Sequence, residues 1–209
     1  MINCLVAPAT LPSTAGSLSV LSYNVLLPNS IDAWWTFKMY NPPLMDEQKH
    51  VATWKHRQTL LRDKIQVLNA DVVCLQEVAP DSFQDDFAFM EDLGYDGSVL
   101  FRKGRFRPAT FWKTTKCELA GDPVHKDRTL LTAFRTVVND GADEDSDTAV
   151  KKTDNSRYWY VLNCHLQAGS EGKRRVRQIQ EGTKAIVTLA KRLKGTHSRH
   201  HPNTDRTQL

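Results

Sequence analysis

The sequence predicts a domain of the α/β or α+β class, with helices packed on sheets. Strand and helix patterns alternate along the chain without tight two-residue hairpins, which favours helices covering sheets. The strand patterns are continuous apolar runs, typical of strands buried on both faces. With 209 residues, 40% hydrophobic and 25% charged, the chain has room for one ordinary domain or two very small ones. No apolar stretch is long enough for a transmembrane helix, so a membrane-spanning segment is not expected.

The first strand is predicted over 18–27, where apolar residues are interrupted by Asn24 and followed by Pro28. Residues 28–52 are too rich in Pro, Asn and aromatic residues for regular structure. Thr53 is a suitable cap for a helix that continues to about Asn69, since apolar residues recur there at helical spacing.

A second buried strand is predicted over 71–78, with Gln76 and Glu77 at its end. A helix is expected from Asp81 to Gly94. Three short strands should follow, over 98–101, 109–112 and 129–138.

The last predicted strand covers 158–166 and ends near His165. A long helix should follow from Glu171 to about Leu193, with Gly195 ending it. Its apolar stripe consists of Val176, Ile179, Ile186, Leu189 and Leu193.

These patterns divide the chain into a flexible leader over 1–17, a domain over 18–195 and a polar tail over 196–209. Residues 139–156 are an acidic surface loop within the domain. The positive charge lies at the C-terminal end, where residues 171–209 carry ten Lys and Arg against three Asp and Glu. Cys74 and Cys164 lie in apolar runs and no C-x-x-C pair occurs, so we expect reduced thiols and an intracellular, cytoplasmic protein.

Three buried strands each end with one polar side chain: Asn24, Glu77 and His165. Strand ends combine a fixed backbone with access from the loops, which is why reactive groups are common there. A carboxylate and an amide oxygen suit a hard cation such as Mg²⁺, and a histidine beside it could stabilise charge on a phosphate. Each residue alone would more commonly be structural, so the hypothesis depends on the three together.

The motifs that contain these residues resemble those of the endonuclease/exonuclease/phosphatase superfamily. They are LSYNVL at 21–26, ADVVCLQEV at 70–78 and LNCHL at 162–166. Trp54 and Arg57 resemble the W-x-x-R of its Ccr4-like branch, which includes the deadenylases, nocturnin and the Angel proteins. The resemblance extends from residue 18 to about residue 194.

The resemblance implies a DNase I-like β-sandwich flanked by helices and a Mg²⁺-dependent phosphodiesterase, with Mn²⁺ as a possible substitute. Glu77 would be the metal ligand, and Asn24 would help to hold the metal or the attacking water. His165 would hydrogen-bond the scissile phosphate. Water would attack in line, and RNA or a nucleotide phosphoester would be the substrate.

Two motifs of the family are absent from the 209 residues: the later G-D-x-N and the terminal S-D-H. The family uses them to activate water and to hold metal and phosphate. We therefore expect this chain to be the N-terminal part of such a domain, truncated at its C-terminal side and inactive alone.

Substrate contacts are expected from Arg107, Lys113 and Arg174. The first two lie within 101–116, which has six Lys and Arg interleaved with aromatic residues, a pattern typical of single-stranded nucleic acid binding. Two strands with aromatic residues inward and charges outward would give the same pattern. Arg174 belongs to a basic run after His165 that would meet a phosphate backbone or simply face solvent. Residues 125–128 are interpreted as a surface loop.

Two alternatives to a nuclease remain open at the level of sequence. The run HLQA at 165–168 resembles sphingomyelinase relatives, so a sphingomyelinase or an inositol-phosphate phosphatase of the same fold is one. A non-catalytic remnant or binding module is the other, and the absent motifs are its main support.

Overall fold

The computed structural model describes residues 17–26, 44–100, 106–137 and 158–197. The described part contains eight strands, four α-helices and two short 3-10 helices, at Asp46–Ala52 and Pro80–Ser82. The strands are β1 Val20–Asn24, β2 Val72–Val78, β3 Gly97–Leu100, β4 Arg107–Trp112, β5 Cys117–Leu119, β6 Val124–Lys126, β7 Thr129–Thr136 and β8 Tyr158–Cys164. The α-helices are α1 Trp54–Leu68, α2 Phe83–Phe87, α3 Phe89–Asp92 and α4 Gly172–His197.

The strands form two sheets. In the first, the order is β1-β2-β4-β3, with β1 parallel to β2 and the remaining pairs antiparallel. In the second, β5 and β6 pair with successive halves of one edge of β7, and β8 pairs along its other edge. The strands that end in Asn24, Glu77 and His165 thus come from both sheets.

The core has three apolar clusters, which define a four-layer sandwich. One cluster lies between α1–α3 and the first sheet, where Val73 and Leu75 of β2 face the helices. A second lies between the sheets and contains Val72, Cys74 and Phe134. The third packs α4 on the second sheet. Alternate residues of β2 thus face different apolar layers, which explains its continuous apolar sequence.

Most predicted elements are present, and the capping chemistry at α1 follows the prediction. Thr53 Oγ1 accepts a hydrogen bond from the backbone N–H of His56 at the first turn. Asn69 ends the helix in a left-handed conformation with φ +49°. Both features satisfy backbone groups at the helix ends.

Four predictions about elements need correction. The single helix expected over 81–94 is a 3-10 turn followed by the short helices α2 and α3. Strands β5 and β6 were not predicted, because three residues are too few to show an alternating pattern. The link from β6 to β7 is a tight two-residue turn at Asp127–Arg128, where only a surface loop and no such hairpin were expected. Helix α4 also continues through Gly195.

The predicted apolar stripe of α4 is correct only for its C-terminal half. Leu189 and Leu193 are buried against the second sheet, and Ile186 packs beside them. Val176 and Ile179 are exposed instead. The side chain that α4 buries near its start is the polar Gln178, which is 1% exposed.

Within the described part of the chain, no helix has the length and hydrophobicity to cross a bilayer. The predicted acidic loop lies outside the described residues, as do residues 1–16 of the leader and 198–209 of the tail. Cys74, Cys117 and Cys164 are free thiols. This agrees with the prediction of reduced thiols at Cys74 and Cys164.

Candidate active site

Asn24, Glu77 and His165 meet at one end of the sandwich. Asn24 Nδ2 donates a hydrogen bond to Glu77 Oε1 at 2.9 Å, and His165 Nε2 lies 3.2 Å from the same oxygen. The Glu77 side chain is only 16% exposed and that of His165 18% exposed. An amide, a carboxylate and an imidazole from two sheets therefore form one partly enclosed cluster.

The backbone of β2 aims Glu77 into this cluster. The pairing register between β2 and β4 shifts between Leu75 and Val78, and Glu77 has φ +61°. An irregularity of this kind bends the strand and redirects a side chain, at the cost of backbone strain. Strain at a non-glycine residue beside a polar cluster is typical of functional sites.

Helix α1 fixes the end of β1, where Asn24 lies. Arg57 Nη1 donates to the carbonyl of Val25 at 2.7 Å, and its guanidinium lies 5.2 Å from the Trp54 ring centroid. The W-x-x-R pair therefore ties the chain just after Asn24 to the helix. Asn24 itself accepts the N–H of Leu26 at Oδ1 (2.9 Å), which leaves its Nδ2 directed at Glu77.

His165 is held by two backbone contacts from neighbouring segments. Its N–H donates to the carbonyl of Arg128 at 2.9 Å, and its Nδ1 lies 3.2 Å from the carbonyl oxygen of Phe106. A carbonyl accepts but does not donate, so Nδ1 is the donor in this contact, and Nε2 is the donor toward the Glu77 carboxylate, which likewise only accepts. The ring orientation is thereby fixed.

Behind the cluster, Asn163 bridges the two sheets. This buried β8 residue donates through Nδ2 to the carbonyls of Leu75 (3.0 Å) and Ala109 (2.8 Å) in the first sheet. Its Oδ1 accepts from Gln76 Nε2 at 2.9 Å. Because these buried polar groups satisfy one another, they hold the strand that precedes His165 in a fixed position against the strand that carries Glu77.

The cluster favours the ionised form of Glu77. The hydrogen bond from His165 is the main reason that the pKa of Glu77 lies below its ordinary value, and the Asn24 hydrogen bond acts in the same direction. Burial opposes this effect, while the charges of His165 and Arg128 contribute to it. Glu77 is therefore a carboxylate under neutral conditions, as a metal ligand must be.

The fit of Mg²⁺ to these residues rests on Glu77. One carboxylate is compatible with Mg²⁺, which commonly retains several waters in protein sites. Asn24, predicted to help hold the metal or the attacking water, accepts the Leu26 N–H at Oδ1 and donates to Glu77 through Nδ2, so in this geometry it also orients Glu77. Among the described residues, no group of three or more His, Cys, Asp and Glu could enclose a metal ion.

The three predicted substrate contacts are separated by the fold. Arg107 pairs with Val78 at the site end of β4, so it lies beside the cluster. Arg174, on α4, lies 3.9 Å from the carboxylate of Asp127. Lys113 lies beyond the opposite end of β4, where it donates to Asn69 and lies 5.0 Å from the Tyr95 ring centroid. The prediction that Lys113 contacts substrate with the others is therefore not supported by its position.

The described aromatic residues of this basic segment differ in position: Phe106 is partly buried, with its ring centroid 6.5 Å from that of His165, whereas the other two lie in the core. Phe111 and Trp112 are buried, which agrees with the alternative of aromatic residues inward and charges outward. Phe101 and residues 102–105 lie outside the described residues.

Sequence reasoning missed the contribution of the Asp127–Arg128 turn. The Arg128 carbonyl binds the His165 backbone, and the Asp127 carbonyl accepts a hydrogen bond from Arg107 Nη1 at 3.2 Å. No local pattern shows that these residues reach the site, because they do so only through the pairing of β7 with β8. The Asp in K-D-R-T, a residue that tolerates positive φ, was the one available signal of a tight turn.

Comparison with known proteins gives one consistent family. A model described as Endonuclease/Exonuclease/phosphatase family matches residues 21–192. Protein angel homolog 2 of Danio rerio is 30% identical over 103 residues, covering 42% of this chain. The CCR4-Not complex 3'-5'-exoribonuclease subunit Ccr4 of Schizosaccharomyces pombe is 32% identical over 126 residues, covering 53% of this chain. The matched region is 17% of each of these relatives.

Solved structures support the fold. The crystal structure of ANGEL2, a 2',3'-cyclic phosphatase, in complex with adenosine-2',3'-vanadate superposes with a TM-score of 0.56 and 22% identity. That superposition covers 83% of this chain and 48% of the ANGEL2 chain. The human Nocturnin catalytic domain gives a TM-score of 0.52 and 14% identity, covering 84% of this chain and 60% of that one. The predicted DNase I-like α+β sandwich is confirmed.

Proposed function

Because the chain belongs to the endonuclease/exonuclease/phosphatase family, we propose that it contributes the metal-binding half of a Mg²⁺-dependent phosphoester hydrolase site. The observation that carries the proposal is the meeting of Asn24, Glu77 and His165 at strand ends from both sheets. RNA or a nucleotide is the proposed substrate, since the similar curated proteins include an exoribonuclease. The chain spans 17% of the relatives cited above, so this activity is inferred from one part of a larger enzyme.

Each residue of the cluster has a distinct proposed role. Glu77 holds the cation, which would supply Lewis-acid stabilisation of the phosphate charge. Asn24 orients the Glu77 carboxylate through its amide N–H. His165 has a fixed ring with Nε2 toward the site, so in its protonated form it donates a hydrogen bond to a phosphate oxygen.

We propose that these 209 residues bind metal but do not turn over substrate by themselves. The G-D-x-N and S-D-H motifs, which the family uses to activate water and to complete the phosphate contacts, do not occur in this sequence. The cluster described above contains a metal ligand and a phosphate donor, but no carboxylate placed to accept the proton of an attacking water. Binding is therefore the appropriate first readout.

Paramagnetic Mn²⁺ in place of Mg²⁺ tests the metal assignment by NMR. In the 209-residue chain, Mn²⁺ should broaden the ring signals of His165, because Nε2 contacts the proposed ligand Glu77. Glu77→Gln removes the carboxylate charge and should abolish this broadening, whereas Glu91→Gln on α3 should leave it unchanged. Equal broadening in the wild type and in Glu77→Gln would refute the assignment.

A further inference from the structure

The Asp127–Arg128 turn brings a second arginine to the site. Arg128 is bonded through its carbonyl to the N–H of His165, and the next residue, Thr129, pairs with Cys164 in the sheet. The turn is therefore part of the backbone that positions His165. Arg128 is partly buried, unlike the neighbouring Lys126, which is exposed.

Arg107 approaches the same turn from the first sheet. It pairs with Val78 directly after Glu77, and its Nη1 donates to the carbonyl of Asp127. Burial lowers the pKa of Arg107 and the charge of Arg128 lowers it further, whereas the charge of Asp127 raises it. The hydrogen bond to the Asp127 carbonyl holds the Arg107 guanidinium next to residue 128, and two like charges in a partly buried site repel one another. A bound anion would relieve that repulsion.

The nearby carboxylate of Asp127 is engaged by other groups. Its Oδ2 accepts a hydrogen bond from Gln178 Nε2 at 2.5 Å and lies 3.9 Å from Arg174 Nη2. Gln178 is buried and its Oε1 accepts the backbone N–H of Gln167 at 3.0 Å, so Asp127 also anchors the loop after His165. This carboxylate therefore serves to hold α4 and the loop against the turn.

We propose that Arg107 and Arg128 form a phosphate-binding subsite beside Glu77 and His165. Guanidinium groups bind phosphate oxygens through two parallel hydrogen bonds, and a pair of them suits a phosphate group of RNA or of a nucleotide. Arg128 is a substrate-positioning residue in this scheme. The inference deepens the proposed function, since it names the side chains that hold the phosphate near the metal ligand.

Titration with inorganic phosphate in the absence of divalent metal tests the subsite. Backbone amide NMR shifts around Asp127–Arg128 and His165 report binding. Arg128→Gln should raise the phosphate Kd about tenfold, as expected for the loss of a charged hydrogen bond. Arg128→Lys keeps the charge without the planar fork, so we expect a smaller increase.

Arg135→Gln is the matched control. Arg135 lies at the other end of β7 and pairs with Glu118 on the protein surface, so its loss should leave the phosphate Kd unchanged. The proposal is overturned if the wild type binds no phosphate, or if the wild type and Arg128→Gln bind it equally. It is also overturned if Arg135→Gln weakens phosphate binding as much as Arg128→Gln does. Amide spectra and thermal midpoints of all variants show whether each one is folded.

The Mn²⁺ experiment separates this inference from the proposed function. Arg128→Gln should retain broadening of the His165 ring, because Glu77 is unchanged. Broadening without an effect of Arg128 on phosphate binding would overturn the subsite alone. Phosphate binding that depends on Arg128, with no Mn²⁺ effect at His165, would overturn the metal assignment alone.

Discussion

At the scale of single residues, the site is built on Glu77. Its Oε1 receives both the Asn24 amide and the His165 ring, and its positive φ places it where both can reach. Removing either neighbour would leave a partly buried carboxylate with fewer donors. The strained backbone is therefore stabilised by contacts from two other strands.

This arrangement predicts that Glu77 contributes to acid sensitivity. Hydrogen bonds in the folded state lower its pKa below the ordinary value of 4.5, so folding favours the ionised form. The contribution to the free energy of unfolding is fully present above that ordinary value and is lost as the pH falls through the lower, folded-state pKa. Glu77→Gln should therefore reduce the loss of stability between neutral and acidic pH, measured by urea unfolding at each pH.

A glutamate elsewhere provides the comparison for this experiment. Glu91 is an exposed residue of α3, so we expect Glu91→Gln to keep the wild-type dependence of the unfolding free energy on pH. Identical pH dependence in Glu77→Gln and the wild type would show that the Glu77 contacts do not stabilise its ionised form.

The sequence predicted these residues unevenly, for physical reasons. Asn24, Glu77 and His165 were recognisable because each is a polar residue at the end of an apolar strand. Arg128 was not, because its place depends on the pairing of β7 with β8, and long-range pairing leaves no local pattern. Lys113 was grouped with Arg107 because the sequence does not show which end of β4 meets the site.

At the scale of elements, the accuracy of prediction followed element length. Strands of five to eight residues buried on one or both faces, such as β2 and β7, gave clear apolar runs. The three-residue strands β5 and β6 exist only because β7 supplies their hydrogen bonds. Gly195 did not end α4, since a helix tolerates an isolated glycine at a cost of about 1 kcal/mol.

Two glycines of α4 give a prediction about its packing. A Cβ at Gly182 would lie 2.7 Å from Leu162 Cδ2 of β8, whereas a Cβ at Gly195 would meet nothing within 4 Å. Gly195→Ala should therefore raise the free energy of unfolding by up to about 1 kcal/mol through helix propensity alone. Gly182→Ala should instead lower the free energy of unfolding by roughly 1 kcal/mol, because Leu162 must move to make room for the Cβ.

Urea unfolding of both variants measures the difference. A Gly182→Ala variant as stable as Gly195→Ala would show that α4 does not pack closely on β8. That result would also weaken the placement of Arg174 and Gln178 beside the Asp127–Arg128 turn, because the same helix carries them.

At the scale of the whole molecule, the site depends on two sheets packed face to face. Asn24 and Glu77 belong to one sheet, while His165 follows a strand of the other. The apolar cluster between the sheets and the Asn163 hydrogen bonds hold these strand ends together. Any loosening between the sheets would separate His165 from Glu77 without altering either strand.

Two cysteines report directly on this packing. Cys74 and Cys117 lie in the apolar layer between the sheets, and burial raises the pKa of each thiol to about 12. Alkylation requires the thiolate and access to it, so both should resist iodoacetamide at about pH 8, near the ordinary thiol pKa. In concentrated guanidinium chloride both should react readily. Peptide-resolved mass spectrometry measures each rate, with the partly exposed Cys164 as the internal comparison that reacts faster in the native chain. If Cys74 reacted as fast in buffer as in denaturant, the sheets would not be packed in solution, and the meeting of Glu77 with His165 could not persist.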